Sequence, residues 1–134
     1  MLLIDASVWV ASGTPANRWH ESASKLIRKP PGPLGAIDLT LYEVANVVGV
    51  RDGKPDAARA LTQVLRRRCK DRVVSLDAEM LDVTLELAAE HGLSAYDAAY
   101  VAAARRTGWQ LVSIDMRDLV SKGLAVTPDA ADYP

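Results

Sequence analysis

The chain has 134 residues, of which 49% are hydrophobic and 25% charged, values typical of one globular domain. A formal net charge of −1 gives no general attraction to nucleic acid, so such binding would need local basic groups or bound cations. No apolar run is long enough to cross a bilayer, and the opening MLLI lacks the basic region of a signal peptide. We therefore expect one domain over residues 1–134, a loose C-terminal tail from about residue 128, no membrane association and a cytoplasmic location.

The first half of the chain alternates short apolar runs with helical patterns. Met1–Ile4 is an apolar run typical of a strand buried on both faces. A Thr-Pro pair predicts the start of a helix over residues 14–29. Leu34–Ile37 predicts a second strand, and a helix over residues 40–50 is expected to follow it.

The second half repeats this alternation. A helical stripe begins near Ala57 and ends in the basic run Arg66–Lys70. The remaining predicted elements, in chain order, are a strand at Val73–Leu76, a helix that Asp77 caps and that ends at His91, a helix over Ser94–Thr107, a strand at Gln110–Ile114, a short helix over Met116–Lys122 and a weak strand around Leu124–Val126.

Short strands that alternate with helices predict a parallel sheet covered by helices on both faces, because parallel strands need crossover connections. In such a sheet all strands end at the same edge, which is where ligands bind. Asp5 and Asp115 directly follow the first and fourth predicted strands, and Glu43 and Asp97 lie near the starts of two helices. Four acids that are far apart in sequence are therefore expected to be neighbours.

Most of these acids also have a purely structural interpretation. Two segments, 40–43 and 94–97, have the spacing of a capping box, in which side chains satisfy the first N–H groups of a helix. Asp115 fits an N-cap with Asp118 three residues later. Asp5 differs, because a lone charge between two apolar runs is costly to bury. The alternative function is therefore a non-catalytic α/β interaction module whose acids only cap helices.

Considered together, the four acids favour a metal site. Adjacent carboxylates raise each other's pKa unless a cation neutralises them. Oxygen ligands select hard ions such as Mg²⁺ or Mn²⁺, and the chain has no cluster of His and Cys typical of zinc. Such an ion suits phosphodiester hydrolysis, because it activates water and stabilises the developing charge. Ser7, Ser113 and Asn46 lie close in sequence to these acids and are expected to orient them, although an ordinary turn hydroxyl is the alternative for each serine.

Four motifs carry the acids: LLIDASVWV around Asp5, LTLYEVANVV around Glu43, LSAYDAAYVAAA around Asp97 and LVSIDMRDL around Asp115. They resemble, in order, the four acidic motifs of PIN-domain proteins. The chain also has the size of the VapC-type ribonuclease toxins of bacterial and archaeal toxin–antitoxin pairs. The resemblance implies an α/β fold, a PIN-like α/β/α sandwich with a central, mostly parallel, twisted sheet of four to five strands.

The same resemblance implies a Mg²⁺- or Mn²⁺-dependent endoribonuclease. It assigns Asp5, Glu43, Asp97 and Asp115 to the positions of the family's catalytic, metal-binding acids, and Asp118 to an additional acid found in some members. Beyond the RNA substrate, it implies two protein contacts, a homodimer and a small antitoxin protein that docks beside the active site.

Basic and aromatic side chains are candidates for contacts with RNA. Two groups of arginines, each at the expected C-terminal end of a helix, could bind phosphates: Arg66, Arg67 and Arg68, and Arg105 and Arg106. A solvated helix end, favoured by the helix dipole, is the alternative for both groups. Trp9, just beyond Asp5, is a candidate for stacking on a base, with core packing as its alternative.

Overall fold

The computed structural model describes residues 1–131 and has a four-stranded parallel sheet at its centre. The strands are β1 (Leu2–Ile4), β2 (Leu34–Ile37), β3 (Val73–Val74) and β4 (Gln110–Val112), in the spatial order β3-β2-β1-β4. β3 and β4 are shorter than predicted. In place of a fifth strand, Val126 forms a single parallel bridge with Val112.

Within residues 1–131, six α-helices cover the sheet. They are α1 (Ala6–Ser12), α2 (His20–Arg28), α3 (Asp38–Val44), α4 (Pro55–Cys69), α5 (Ala78–His91) and α6 (Ala95–Thr107). Two π-helical segments lie beside them, Ala45–Arg51 directly after α3 and Met116–Val120 after β4, and a 3₁₀ helix spans Pro128–Ala130.

Alternate residues of β1 face opposite sides of the sheet, as the pleat requires. Leu2 and Ile4 pack into a core formed with α1 to α4, and Leu3 packs into a second core formed with α5 and α6. The predicted α/β/α sandwich is therefore confirmed, and β1 is buried on both faces. Trp9 of α1 is completely buried in the first core, so it is not available to stack on a base.

The predicted helix over residues 14–29 exists only in its second part, and its predicted start is wrong. The chain forms α1 immediately after Asp5, and Thr14 helps to close that helix: its N–H donates to Ala11 O (3.2 Å) and its Oγ1 donates to Val10 O (2.7 Å). α2 begins only at His20. The sequence prediction missed α1 because it treated Asp5 as an acid that follows a strand and not as the N-cap of a helix.

The predicted helix start at Thr40 is also wrong, because α3 begins at Asp38. Thr40 lies buried in the first turn, where its Oγ1 accepts a hydrogen bond from Ile37 N–H (3.2 Å). Glu43 lies further along the helix, so the expected capping box at residues 40–43 does not form. That frees the Glu43 carboxylate for other contacts.

The first residues of the expected loose tail form a short helix. Pro128 is buried, and the 3₁₀ helix that it starts packs against α2. The last three residues, 132–134, lie outside the described residues, so the prediction for them and the single-domain prediction for 1–134 stay predictions. Among residues 1–131, no helix is both long and apolar enough to span a membrane.

Candidate active site

Carboxylates from four parts of the chain meet at the edge where the strands end. One oxygen each from Asp97, Asp115 and Asp118 lies within 4.8 Å of the others. Electrostatic repulsion couples Glu43 to Asp97 and Asp5 to Glu43, which extends this group across the sheet. The structure therefore brings together the four acids singled out from the sequence and Asp118. We call these five residues the carboxylate cluster: Asp5, Glu43, Asp97, Asp115 and Asp118.

Asp5 is the most buried member of the cluster. Its Oδ1 accepts hydrogen bonds from Ser7 Oγ (2.5 Å) and from Val8 N–H (3.2 Å), so it caps α1, a role that the sequence did not predict. Burial raises the pKa of Asp5 to about 6, while the hydrogen bonds from Ser113, Ser7 and Val8 act in the opposite direction. A neighbouring Glu43 charge raises it further.

Glu43 and Asp97 are both only partly exposed, and the pKa of each is raised. For Glu43 the main cause is desolvation, with the Asp97 charge adding to it and a hydrogen bond from Tyr100 opposing it. For Asp97 the main cause is again desolvation, followed by the charges of Asp115 and Asp118. Burial and crowding thus make the charged forms of these carboxylates less favourable, which is the condition that a bound cation relieves.

Capping accounts for only some of these side chains. Asp115 Oδ1 accepts from Asp118 N–H (2.9 Å), which confirms the predicted N-cap, although the segment that it opens is π-helical. Ser94 Oγ accepts from Asp97 N–H (3.1 Å), so the hydroxyl of Ser94 caps α6 and the carboxylate of Asp97 does not. Among residues 1–131, the carboxylates of Glu43 and Asp97 have no hydrogen bond to a helix N–H.

The two predicted serines contact the acids directly. Ser7 Oγ, which donates to Asp5, accepts from Ile114 N–H (3.2 Å) and so links the residues after β1 to those after β4. Ser113 Oγ accepts from Asp115 N–H (3.0 Å) and bonds to the Asp5 side chain. Asn46, in contrast, is exposed in the π-helical segment after α3.

Tyr100 and Thr40 are polar residues of the site that the sequence reasoning missed. Tyr100 is buried, and its hydroxyl donates to Glu43 Oε1 (2.8 Å). Its Oη lies 2.9 Å from Thr40 Oγ1 and accepts from Ala6 N–H (3.3 Å). One signal was available: Tyr100 lies three residues after Asp97 and therefore on the same face of α6.

Few cations lie near the cluster. Lys122 Nζ is 4.0 Å from Asp118 Oδ1 and donates to His91 O (2.7 Å). In the part of the chain that the structure describes, the other four carboxylates form no ion pair. The negative charge of the site is therefore largely uncompensated by the protein.

The arginines considered for RNA contact do not join the cluster. Arg66, Arg67, Arg68 and Arg105 are exposed at the C-terminal ends of α4 and α6, the ends that lead into β3 and β4, and Arg106 pairs with Asp77 (2.9 Å). Those helix ends face away from the edge where the strands finish. Along α6, Arg105 lies about 12 Å from Asp97. Contact of these arginines with RNA stays a prediction.

The donor set fits a hard divalent cation. All five members offer carboxylate oxygens, the type of ligand that Mg²⁺ and Mn²⁺ prefer. Burial and repulsion within the cluster raise the pKa values of Asp5, Glu43 and Asp97. Ionising these carboxyl groups in the metal-free protein therefore costs free energy, and a bound cation would remove that cost.

Comparison with known sequences finds one matching family profile and two similar proteins. A family profile described as PIN domain matches residues 2–120. Ribonuclease VapC3 of Pyrobaculum aerophilum is 37% identical over 132 residues, which cover 95% of this chain and 98% of that protein. Exonuclease VapC9 of the same organism is 32% identical over 122 residues, covering 90% and 84%.

Solved structures show the same fold. VapC20 of Mycobacterium tuberculosis, described as a Sarcin-Ricin loop cleaving toxin, has a TM-score of 0.76 at 23% identity and covers 92% of this chain and 95% of that one. A toxin–antitoxin complex from Klebsiella pneumoniae has a TM-score of 0.72 at 17% identity, with coverage of 96% and 98%. At these identities the likeness concerns the fold alone.

Proposed function

The chain belongs to the PIN domain family, and from that membership we propose that it is a divalent-metal-dependent endoribonuclease, which hydrolyses phosphodiester bonds of RNA. The observation that carries the proposal is the carboxylate cluster, in which residues from four separate segments meet with few cations nearby. The name of the 37% identical relative, a ribonuclease, supports RNA as the substrate.

We assign the metal to the carboxylates. Asp5, Glu43, Asp97 and Asp115 would hold Mg²⁺ or Mn²⁺, and Asp118, whose oxygen lies within 4.8 Å of those of Asp97 and Asp115, would add a fifth carboxylate. A divalent ion bound there lowers the pKa of water and stabilises negative charge at a phosphate.

The protein's own residues prepare that site. Ser7 and Ser113 hold Asp5 and the backbone of Asp115 in fixed relation, so carboxylates after β1 and β4 are oriented before any ligand binds. Without a cation, the charged cluster would repel a phosphate. The chain therefore supplies oriented negative charge, and a divalent ion held by these carboxylates would supply the positive charge that a phosphate needs there.

The alternative, a non-catalytic interaction module, is favoured by one observation: Asp5 and Asp115 do cap helical segments. Capping uses Oδ1 of each and does not involve the carboxylates of Glu43 and Asp97. A module whose acids serve only as caps does not account for these two partly buried carboxylates, so we favour the nuclease.

The proposal is tested by cleavage of a mixed RNA pool with Mn²⁺ or with EDTA. We expect cleavage by the wild type only with the metal. Asp97→Asn should abolish cleavage while keeping the fold, because the amide lowers the ligand charge and Ser94 still caps α6. Glu86→Gln, at an exposed position of α5, is the matched control and should cut normally. Cleavage by Asp97→Asn at the wild-type rate would refute the metal-site assignment.

The mode of cleavage needs its own test, because one relative is named an exonuclease. A circular RNA has no end, so only an endonuclease can cut it. We expect the wild type with Mn²⁺ to linearise a circular RNA at a rate similar to that for the linear form. Digestion of the linear RNA only would leave the metal-dependent chemistry intact and replace the endonuclease by an exonuclease.

We further propose that the protein acts in the cytoplasm as the toxin of a toxin–antitoxin pair, as a homodimer inhibited by a small antitoxin. The resemblance of the acidic motifs to VapC-type toxins supports this part. Induced expression should arrest growth, and co-expression of a small protein encoded next to the gene should relieve the arrest. Light scattering should give twice the mass of the chain.

A further inference from the structure

The hydroxyl of Tyr100 lies where three acid-bearing elements meet. The side chain is only 2% exposed. Its Oη is 2.8 Å from Glu43 Oε1 of α3 and 3.3 Å from the N–H of Ala6, the residue next to Asp5. Tyr100 itself belongs to α6, one turn after Asp97. A single hydroxyl therefore connects the elements that carry Asp5, Glu43 and Asp97.

The contacts determine which group donates each proton. The Ala6 N–H can only donate and an ionised Glu43 can only accept, so Tyr100 gives its one proton to Glu43. Thr40 Oγ1 accepts from Ile37 N–H, which leaves its own proton for Tyr100 Oη. The result is a directed series of hydrogen bonds that starts at the backbone of β2 and ends on the Glu43 carboxylate.

We propose that Tyr100 is a positioning residue, whose hydroxyl, oriented by Thr40, holds the Glu43 carboxylate in the geometry that binds the divalent ion. This inference rests on the proposed nuclease function and deepens it by naming how one ligand is fixed. A glutamate side chain has several rotatable bonds, and the backbone becomes π-helical at Ala45, two residues after Glu43. Glu43 is also partly open to solvent. The hydrogen bond from Tyr100 removes this freedom before the ion arrives.

The first test removes the Tyr100 hydroxyl alone. Tyr100→Phe is compared with Tyr96→Phe, the same chemical change on the same helix at a side chain that is 63% exposed. Mn²⁺ affinity is measured by titration calorimetry on the metal-free proteins, with folding checked by circular dichroism. We expect Tyr100→Phe to weaken Mn²⁺ binding by about tenfold or more. Tyr96→Phe should bind Mn²⁺ as the wild type does.

The second test keeps the tyrosine and changes its orienting partner. Thr40→Val removes the hydroxyl at nearly constant volume, whereas Thr40→Ser retains it. We expect Val to weaken Mn²⁺ binding and Ser to restore it. In cleavage assays at subsaturating Mn²⁺, raising the Mn²⁺ concentration should restore the rate of Thr40→Val and of Tyr100→Phe. If Tyr100→Phe does not fold, this pair of threonine variants decides the matter by itself.

A double-mutant cycle identifies Glu43 as the target. In a Glu43→Ala background, Tyr100→Phe should cause no further loss of Mn²⁺ affinity, because the group that it positions is gone. If Tyr100→Phe lowers stability in EDTA but binds Mn²⁺ normally, Tyr100 is a core hydrogen bond and the positioning role is wrong. A wild type that neither binds Mn²⁺ nor cuts RNA overturns the proposed function together with this inference. Wild-type binding that Tyr100→Phe leaves unchanged overturns this inference alone.

Discussion

The carboxylates of Asp97 and Asp115 approach within 4.8 Å of each other, although the C-terminal part of α6 and all of β4 separate them in the chain. Like charges at this distance destabilise the native state unless a cation lies between or beside them. The charge of Asp115 raises the pKa of Asp97, after the larger effect of desolvation. The crowding of these carboxylates should therefore affect both metal binding and the pH dependence of stability.

Metal binding should raise the thermal stability of the wild type. A ligand that binds only the native state adds about 2.7 kcal/mol at a concentration of 100 times its Kd. For a domain of this size we expect the unfolding midpoint to rise by several degrees in millimolar Mn²⁺. Asp115→Asn should lose most of this shift, because it removes a charge from the cluster and keeps an oxygen for the N-cap. An unchanged wild-type midpoint in differential scanning calorimetry would contradict the metal site.

The metal-free protein should lose stability as the pH rises through the range in which Asp5 ionises. The pKa of Asp5 is raised in the folded state from an unfolded value of 3.8 to about 6, so the folded state holds the proton more tightly. The stability that the protonated Asp5 carboxyl contributes is complete below about pH 4 and disappears above about pH 6. Relative to Asp5→Asn, the wild-type free energy of unfolding should fall by about 3 kcal/mol over this range.

Urea unfolding in EDTA at several pH values measures this difference. Asp5→Asn is the appropriate reference, because asparagine keeps the oxygen that accepts from Val8 N–H. Comparing the two proteins cancels the titration of distant carboxylates such as Asp77, whose pKa is lowered mainly by a hydrogen bond from Met80 N–H. A wild type that gains stability relative to the variant as the pH rises would contradict the assignment.

Gly35→Ala should destabilise the protein. A Cβ on Gly35 would lie 2.4 Å from Trp109 Cζ3 and 3.0 Å from the carbonyl oxygen of Arg72, so the indole must move. Overpacking of this kind costs about 1–3 kcal/mol. Gly13→Ala is the control, because its added Cβ would meet Leu61 Cδ2 at 3.4 Å, an ordinary contact. Chemical denaturation of both variants gives the comparison, and equal midpoints would show that Trp109 yields easily.

Arg67→Gln should weaken RNA binding without changing Mn²⁺ binding, if the basic end of α4 contacts phosphates. Loss of one phosphate contact reduces the slope of log K against log salt by about 0.7 for a single strand. Arg59→Gln is the matched control on the same helix, since Arg59 pairs with Asp56 (2.8 Å). Fluorescence anisotropy measures RNA binding by both variants in the inactive Asp97→Asn background, and titration calorimetry measures their Mn²⁺ binding with Asp97 intact. An unchanged salt slope for Arg67→Gln would favour a solvated helix end.

Local sequence patterns predicted most elements of this fold. Two kinds of pattern predicted elements that the structure contains: the apolar runs at β1 and β2, and the N-caps Asp77 and Ser94. Both succeeded because burial on two faces and helix capping are encoded in a few adjacent residues. α1 was missed, since Asp5 was assigned to the site and not recognised as the N-cap of a helix. The start of α3 was misplaced, because the hydroxyl of Thr40 bonds to Tyr100 and Ile37 and does not serve as the N-cap.

The sequence by itself determined the alternation of strands and helices and the four segments that carry acids, because these depend on short-range periodicity and capping. Only the tertiary structure decided that Asp118 joins Asp97 and Asp115, and that Asp5 is both a helix cap and a buried acid of raised pKa. It alone also brought Tyr100 to Glu43. Such contacts join residues from different crossovers of the sheet, and no local pattern records which side chains meet when those crossovers pack together.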